Sequence, residues 1–226
     1  MYHLLTDLFY KLGVYRYAKK FLRRPYLNML SFLFRLSAKS AIKKFASIMD
    51  KNHYLYWLEF GTLLGAVREQ RLISHDADID VAMHVQDRDI NLEKVLRQHG
   101  FRLIRRARLL TGELIEETYT FKTARIDIFY AYRKGNKIVM YDYETMDGLS
   151  PNECIRRYGG LRVYENVMTN FELTHNLLYG RKVHIPDNYD HHLTELYGTD
   201  FMKPDKNWEL AKREIRSETS YLAMVE

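Results

Sequence analysis

The 226-residue sequence has a single cysteine, Cys154. One thiol excludes an intrachain disulfide framework and a cysteine-rich zinc site, and it fits a reducing compartment. Long apolar runs are missing too. The stretch Tyr26 to Leu36 is bounded by arginines and falls short of the roughly 20 residues that a membrane-spanning helix needs. A cleavable leader is not expected: Asp7 and Lys11 interrupt the region where its apolar core would lie, and no small-residue cleavage site follows. Internal repeats, low-complexity tracts and flexible interdomain linkers are absent as well. What remains is globular in composition, 46% hydrophobic and 28% charged. A chain of this size buries roughly 70% of its unfolded surface, so it folds without disulfides or a structural metal.

The formal charge is +6, which as a bare total suggests nucleic acid. Its distribution argues otherwise. Of 35 basic and 29 acidic side chains, residues 1–50 hold ten basic and two acidic (Asp7 and Asp50), leaving 25 and 27 for residues 51–226. The body is slightly acidic, and no nucleic-acid partner is expected. Residues 1–50 read as a basic amphipathic helical extension, and residues 51–226 as the main domain. Leu4, Leu5, Leu8, Phe9, Leu12 and Tyr15 share one helical face, and Pro25 is expected to interrupt the pattern. A basic amphipathic helix of this kind suits an anionic membrane surface, contacted through residues 1–36 from the cytoplasmic side.

Beyond the extension, residues 39–49 read as a helix, Tyr54–Phe60 as a strand and Leu63–Glu69 as a short helix. Ile79–Met83 reads as a strand and Asn91–Gln98 as a helix. Further strands are expected at Phe101–Ala107, Ile115–Lys122, Arg125–Tyr132 and Lys137–Tyr143, the last pair joined by a hairpin at Lys134-Gly135-Asn136. A helix over about Tyr189–Tyr197 closes at Gly198, and a polar helical tail follows. The order is α+β with a mixed sheet.

The chemistry concentrates in two stretches. Asp76, Asp78 and Asp80 are spaced by two, so on a strand their carboxylates share a face. Anions so close repel unless a cation lies among them. Hard oxygen ligands suit Mg²⁺ or Mn²⁺, which usually also bind substrate phosphates. Asp127 sits between Ile126 and Ile128 on an apolar strand, where an acid is costly to bury without a partner. A shared metal would supply one. Upstream, Gly61-Thr62 lies at a strand-to-helix junction whose free amides, with the threonine hydroxyl, suit a phosphate, and Arg68 can reach a second phosphate oxygen.

Glu59-Phe-Gly-Thr-Leu-Leu-Gly-Ala-Val-Arg68, followed by Leu72-Ile-Ser-His-Asp-Ala-Asp-Ile-Asp80, resembles the LicD/fukutin family of the polymerase-β-like nucleotidyltransferase superfamily. Ile185-Pro-Asp-Asn-Tyr189 and Leu193-Thr-Glu-Leu-Tyr-Gly198 resemble its closing motif, so the likeness covers roughly residues 53–205. The chain departs at Ser74-His75, where the family has Pro-Trp, and at Ala77, where it has Asp. The resemblance implies a nucleotidyltransferase-like α+β fold over residues 51–226. It also implies metal-dependent transfer of a phospho-substituent, such as phosphocholine or ribitol phosphate, from a CDP-linked donor to a hydroxyl of a glycan or lipid-linked glycan, with release of CMP. Transfer of an NMP group with release of pyrophosphate is the alternative. Asp78 and Asp80 are favoured over Asp76 and Asp78 as the principal metal pair, and Asp127 is metal ligand or general base. Glu59, His75 and Arg125 are possible substrate contacts. His175, His184, His191 and His192 lack metal-ligand spacing and read as exposed or capping residues.

Overall fold

The computed structural model describes residues 15–204 and 213–226, with the side chains of residue 29 and of residues 31 onward. The first helix, α1 (Tyr15–Lys51), runs unbroken through Pro25, where an interruption was expected. One proline removes one backbone donor, and the rest of the helix is held by its packing. Phe34, Ala38, Ala41, Ile42, Phe45, Ala46 and Met49 recur at helical spacing and are buried in the main core, against β5 (Ala124–Lys134). The expected division at residue 50 therefore falls at the end of a helix whose second half belongs to the core of the body. The apolar face expected over residues 4–22 lies outside the described side chains.

The chain then turns sharply. β1 (Trp57–Leu58) is only two residues long, and α2 (Phe60–Glu69) begins three residues earlier than expected because the Glu59 carboxylate caps it, accepting from Phe60 N at 3.2 Å. β2 (Ile79–His84) follows, then α3 (Leu92–Gln98), β3 (Arg102–Leu109) and β4 (Leu114–Phe121). β5 and β6 (Lys137–Glu144) form the expected hairpin, closed at Lys134 opposite Lys137.

Sequence reasoning did not foresee α4 (Pro151–Tyr158), although Ser150-Pro-Asn-Glu153 carries its signature. Ser150 and Glu153 cap each other's amides, and proline opens the helix. β7 (Leu161–Thr169) and the hairpin of β8 (Leu173–Leu178) and β9 (Arg181–Pro186) were likewise unforeseen; α5 (Tyr189–Tyr197) ends at Gly198 as expected.

Of the expected polar helical tail, residues 205–212 lie outside the described residues, and the segment from Arg216 onward is not helical. Residues Arg216–Val225 form β10, which pairs antiparallel with β3 on one side and with β7 on the other. Two strand edges waiting for hydrogen bonds outweigh the weak helical reading of a polar segment.

The main sheet has the order β1-β2-β5-β4-β3-β10-β7-β6, and an added β5–β6 pairing turns six of its strands into a closed cycle. Among the described strands, only β2 and β5 pair in parallel, in the register Ile79–Ile126, Asp80–Asp127, Val81–Ile128. The fold is α+β, a mixed sheet flanked by helices.

Candidate active site

The parallel register builds the site. Asp80 and Asp127 are direct partners across β2 and β5, so backbone hydrogen bonds alone hold their side chains on one face. Asp78, just ahead of β2, completes a group whose carboxylate oxygens lie within 4.8 Å of one another. Asp76, from the turn closed by its own amide on Ile73 O, comes in beside Gly61: a methyl group there would meet Asp76 Oδ2 at 3.4 Å and Asp80 Oδ2 at 3.7 Å. Strand alternation thus covers Asp80, while Asp76 and Asp78 are placed by the preceding loop.

The crowding shows in their ionisation. Burial, and then the charge of Asp78, pushes the Asp76 carboxyl up to about 7. Burial and the neighbouring Glu116 push Asp127 up to about 7. Asp80 is raised well above the usual carboxylate range by burial and by Asp78, Asp127 and Asp76. Oxygen donors this close, with Asp127 Oδ1 buried and without a hydrogen-bond partner, are of the kind that could hold a hard divalent cation.

Two arginines stand among these acids. Arg125 donates to Asp78 Oδ2 and brings Nε to 3.3 Å from Asp127 Oδ2. Arg105 pairs with Glu116 and lies 3.9 Å from Asp127 Oδ1, while Thr118 donates to the same Glu116 oxygen at 2.8 Å. Sequence reasoning missed Arg105 and Glu116. Charged residues on strands look like a solvated face until register sets them beside Asp127.

The turn before α2 is held differently from the expectation. Glu59 is fully buried and is not a cavity residue. Its carboxylate accepts from Trp57 Nε1 at 2.7 Å and from His192 Nε2 at 2.7 Å as well as from Phe60 N. Burial alone would raise its pKa, but His192 and these hydrogen bonds hold it below the usual range. His192, read from the sequence as exposed or capping, is thus a buried partner on α5. Phe60, with φ +45°, takes the left-handed conformation that lets the chain double back. Thr62 is also fully buried, its hydroxyl accepting from Asp80 N at 2.8 Å. It ties α2 to β2, while Gly61 beside it faces the open space.

That space is a cavity of about 1550 Å³, lined by Gly61, Asp76, Asp78 and Asp80 at one end, with Phe129, Tyr197 and Arg213 beside them. His75 and Arg68 also line it, as do Phe34, Arg35, Ala38 and Lys39 of α1. Arg68 donates to the carbonyls of Phe201 and Lys203, which fixes the far wall. Arg213 lies over the Phe60 ring at 4.5 Å. Asp127 is only 4% exposed and stands behind the lining.

Comparison with known proteins gives three kinds of match. Residues 53–188 match the model of the LicD/FKTN/FKRP nucleotidyltransferase domain. An uncharacterized protein of Rickettsia typhi is 31% identical over 147 residues, 58% of this chain and 44% of that protein. The ribitol-5-phosphate transferase FKTN of Homo sapiens is 21% identical over 176 residues, 78% of this chain and 35% of FKTN. The chain thus spans under half the length of these relatives. A crystal structure of ANT(2")-Ia in complex with adenylyl-2"-tobramycin aligns with 75% of this chain and 80% of that one, at a TM-score of 0.42 and 17% identity.

Proposed function

Since the chain belongs to the LicD/FKTN/FKRP nucleotidyltransferase family, we propose that it transfers a phospho-substituent, such as ribitol phosphate or phosphocholine, from a CDP-linked donor to a glycan hydroxyl. CMP is the leaving group. The acceptor is a cell-surface glycan precursor met at the cytoplasmic face of the membrane, free or lipid-linked. The observation that carries this reading is the register of Asp80 on Asp127 with Asp78 beside them. Phosphoryl transfer asks for positioning and charge neutralisation, and this triad offers both.

Asp78, Asp80 and Asp127 would hold the cation, Mg²⁺ or Mn²⁺, which when bound neutralises charge on the donor diphosphate and on the departing CMP. The amide of Gly61, in the first turn of α2, binds a phosphate oxygen, and its missing side chain gives the donor room. Arg125, paired with Asp78, gains a phosphate partner when the donor binds. Asp76 lines the cavity while Asp127 does not, so Asp76 is the base that takes the acceptor hydroxyl's proton. The cavity exceeds the usual 300–1,000 Å³ or so of a single-ligand pocket, leaving space for donor and acceptor together.

The test is to incubate the purified protein with Mg²⁺, candidate glycans and, in turn, CDP-ribitol, CDP-choline and CDP-glycerol. CMP release with one donor is the expected result. Pyrophosphate release from a nucleoside triphosphate would establish NMP transfer instead, and no product with any donor in folded protein would overturn the reading.

A further inference from the structure

α1 changes character along its length. From residue 40 onward its outward face is Ser40, Lys43 and Ser47, polar as a solvated face should be. Ahead of that point the same face carries Met29, Phe32, Leu33 and Leu36, 50%, 55%, 37% and 64% exposed. Their spacing, i, i+3, i+4, i+7, makes one continuous stripe. This stretch is held on the domain. Phe34 and Ala38 on the opposite face are buried in the core, and Ser31 Oγ donates to Ser74 O at 3.2 Å in the loop before β2. Nothing in the described chain covers the stripe.

Its flank is cationic. Arg35 and Lys39 lie between the stripe and the buried face, and both line the catalytic cavity. Among the described residues neither makes an ion pair with a carboxylate, and the Lys39 ammonium instead lies 5.5 Å over the Tyr179 ring. Apolar surface bordered by uncompensated cations complements an anionic lipid surface. A second copy is the poorer fit, because it would bring together two N-terminal segments that each carry ten basic and two acidic side chains.

We propose that Met29, Phe32, Leu33 and Leu36 lie in the headgroup region of an anionic bilayer, with Arg35 and Lys39 at the level of the lipid phosphates, so that the catalytic cavity opens at the membrane surface. The inference rests on the phosphotransfer reading and deepens it. The acceptor reaches the cavity while anchored in lipid, and its anionic linkage passes the Arg35–Lys39 wall.

The experiment is flotation of the full chain with vesicles of phosphatidylcholine, with and without phosphatidylglycerol. Its control is the triple variant Phe32→Ser/Leu33→Ser/Leu36→Ser, none of whose positions lines the cavity. Wild type is expected to float with phosphatidylglycerol vesicles and to bind about tenfold less without the anionic lipid. The triple variant is expected to lose about tenfold in vesicle binding while keeping its melting temperature and its CMP release on a water-soluble acceptor. Equal binding by the triple variant would overturn the proposal. So would a wild-type dimer, seen by light scattering, that the triple variant breaks without losing vesicle binding. Vesicle binding as expected, with no CMP release from either protein, would sink the phosphotransfer reading and leave the membrane contact standing.

Discussion

His192 on α5 and Glu59 before α2 are 133 residues apart in sequence, yet meet at 2.7 Å with both side chains fully buried. Glu59 in turn donates its amide to Asp80 O at 3.1 Å. A histidine with no route to the cavity therefore sets where the first turn of α2 stands against the strand that carries Asp80.

Replacing His192 by phenylalanine leaves the Glu59 charge buried without its main partner. Breaking a buried pair this way costs about 3 kcal/mol or more, read as a lower melting temperature. Mn²⁺ affinity should fall by about tenfold, as it does when supporting groups behind metal ligands are lost. His192→Gln, which keeps a donor, should recover much of the Mn²⁺ affinity. Unchanged Mn²⁺ binding in a folded His192→Phe protein would confine the pair to stability.

Asp78→Asn should keep the fold, because Asp78 is partly exposed and lies outside the sheet. Turnover should fall by more than about 100-fold, with Mn²⁺ binding lost alongside it in calorimetry. Retained turnover would remove Asp78 from the metal site.

Gly61 and Gly65 should respond oppositely to alanine. At Gly61 the new methyl meets carboxylate oxygens at 3.4 and 3.7 Å, ordinary contact distances, so stability should hold while KM for the donor rises. At Gly65 it would meet the backbone oxygen of Arg71 at 2.5 Å, and forced repacking of this kind typically costs about 1–3 kcal/mol. Thermal melts and donor titrations on the two variants separate the roles.

The carboxylates make metal-free stability depend on pH. The folded pKa of Asp76 and of Asp127 is about 7, against 3.8 in an unfolded chain. Between those values the native state binds more protons than the unfolded one, so their contribution falls as pH rises through that window and stays low above 7. His84 and His184, held low chiefly by burial, act in the opposite sense below their ordinary 6.5. A difference measurement cancels them. Asp80→Asn removes one of the repelling charges, so without metal its melting temperature relative to wild type should rise from pH 5.5 to pH 8. Mn²⁺ at pH 8 should stabilise wild type and not the variant. A flat difference would show that the acids carry no mutual strain.

The acids were legible in the sequence because a spacing of two and a lone Asp between isoleucines are local signals. Gly61 and the ends of α3 and α5 were legible for the same reason, through turn and cap chemistry. Glu59–His192 was not, since nothing in either neighbourhood marks a partner so distant in the chain. Thr62 looked like a phosphate donor because its type and place allow that, and only the position of Asp80 N shows its engagement. β10 was misread because Arg216–Ser220 is polar, and polarity does not reveal two vacant strand edges on either side.

β10 also bears on how the protein is made. It joins β3 to β7, so the ring of strands stays open until residues 216–225 have left the ribosome. By then β2 and β5, with every acid of the site, have long been synthesised and can pair through a crossover of intermediate length. A nascent chain in which β2 and β5 have already paired would present the carboxylate cluster on a sheet whose β3 and β7 edges still lack β10. Those edges attract other chains and chaperones, and β10 ends that exposure.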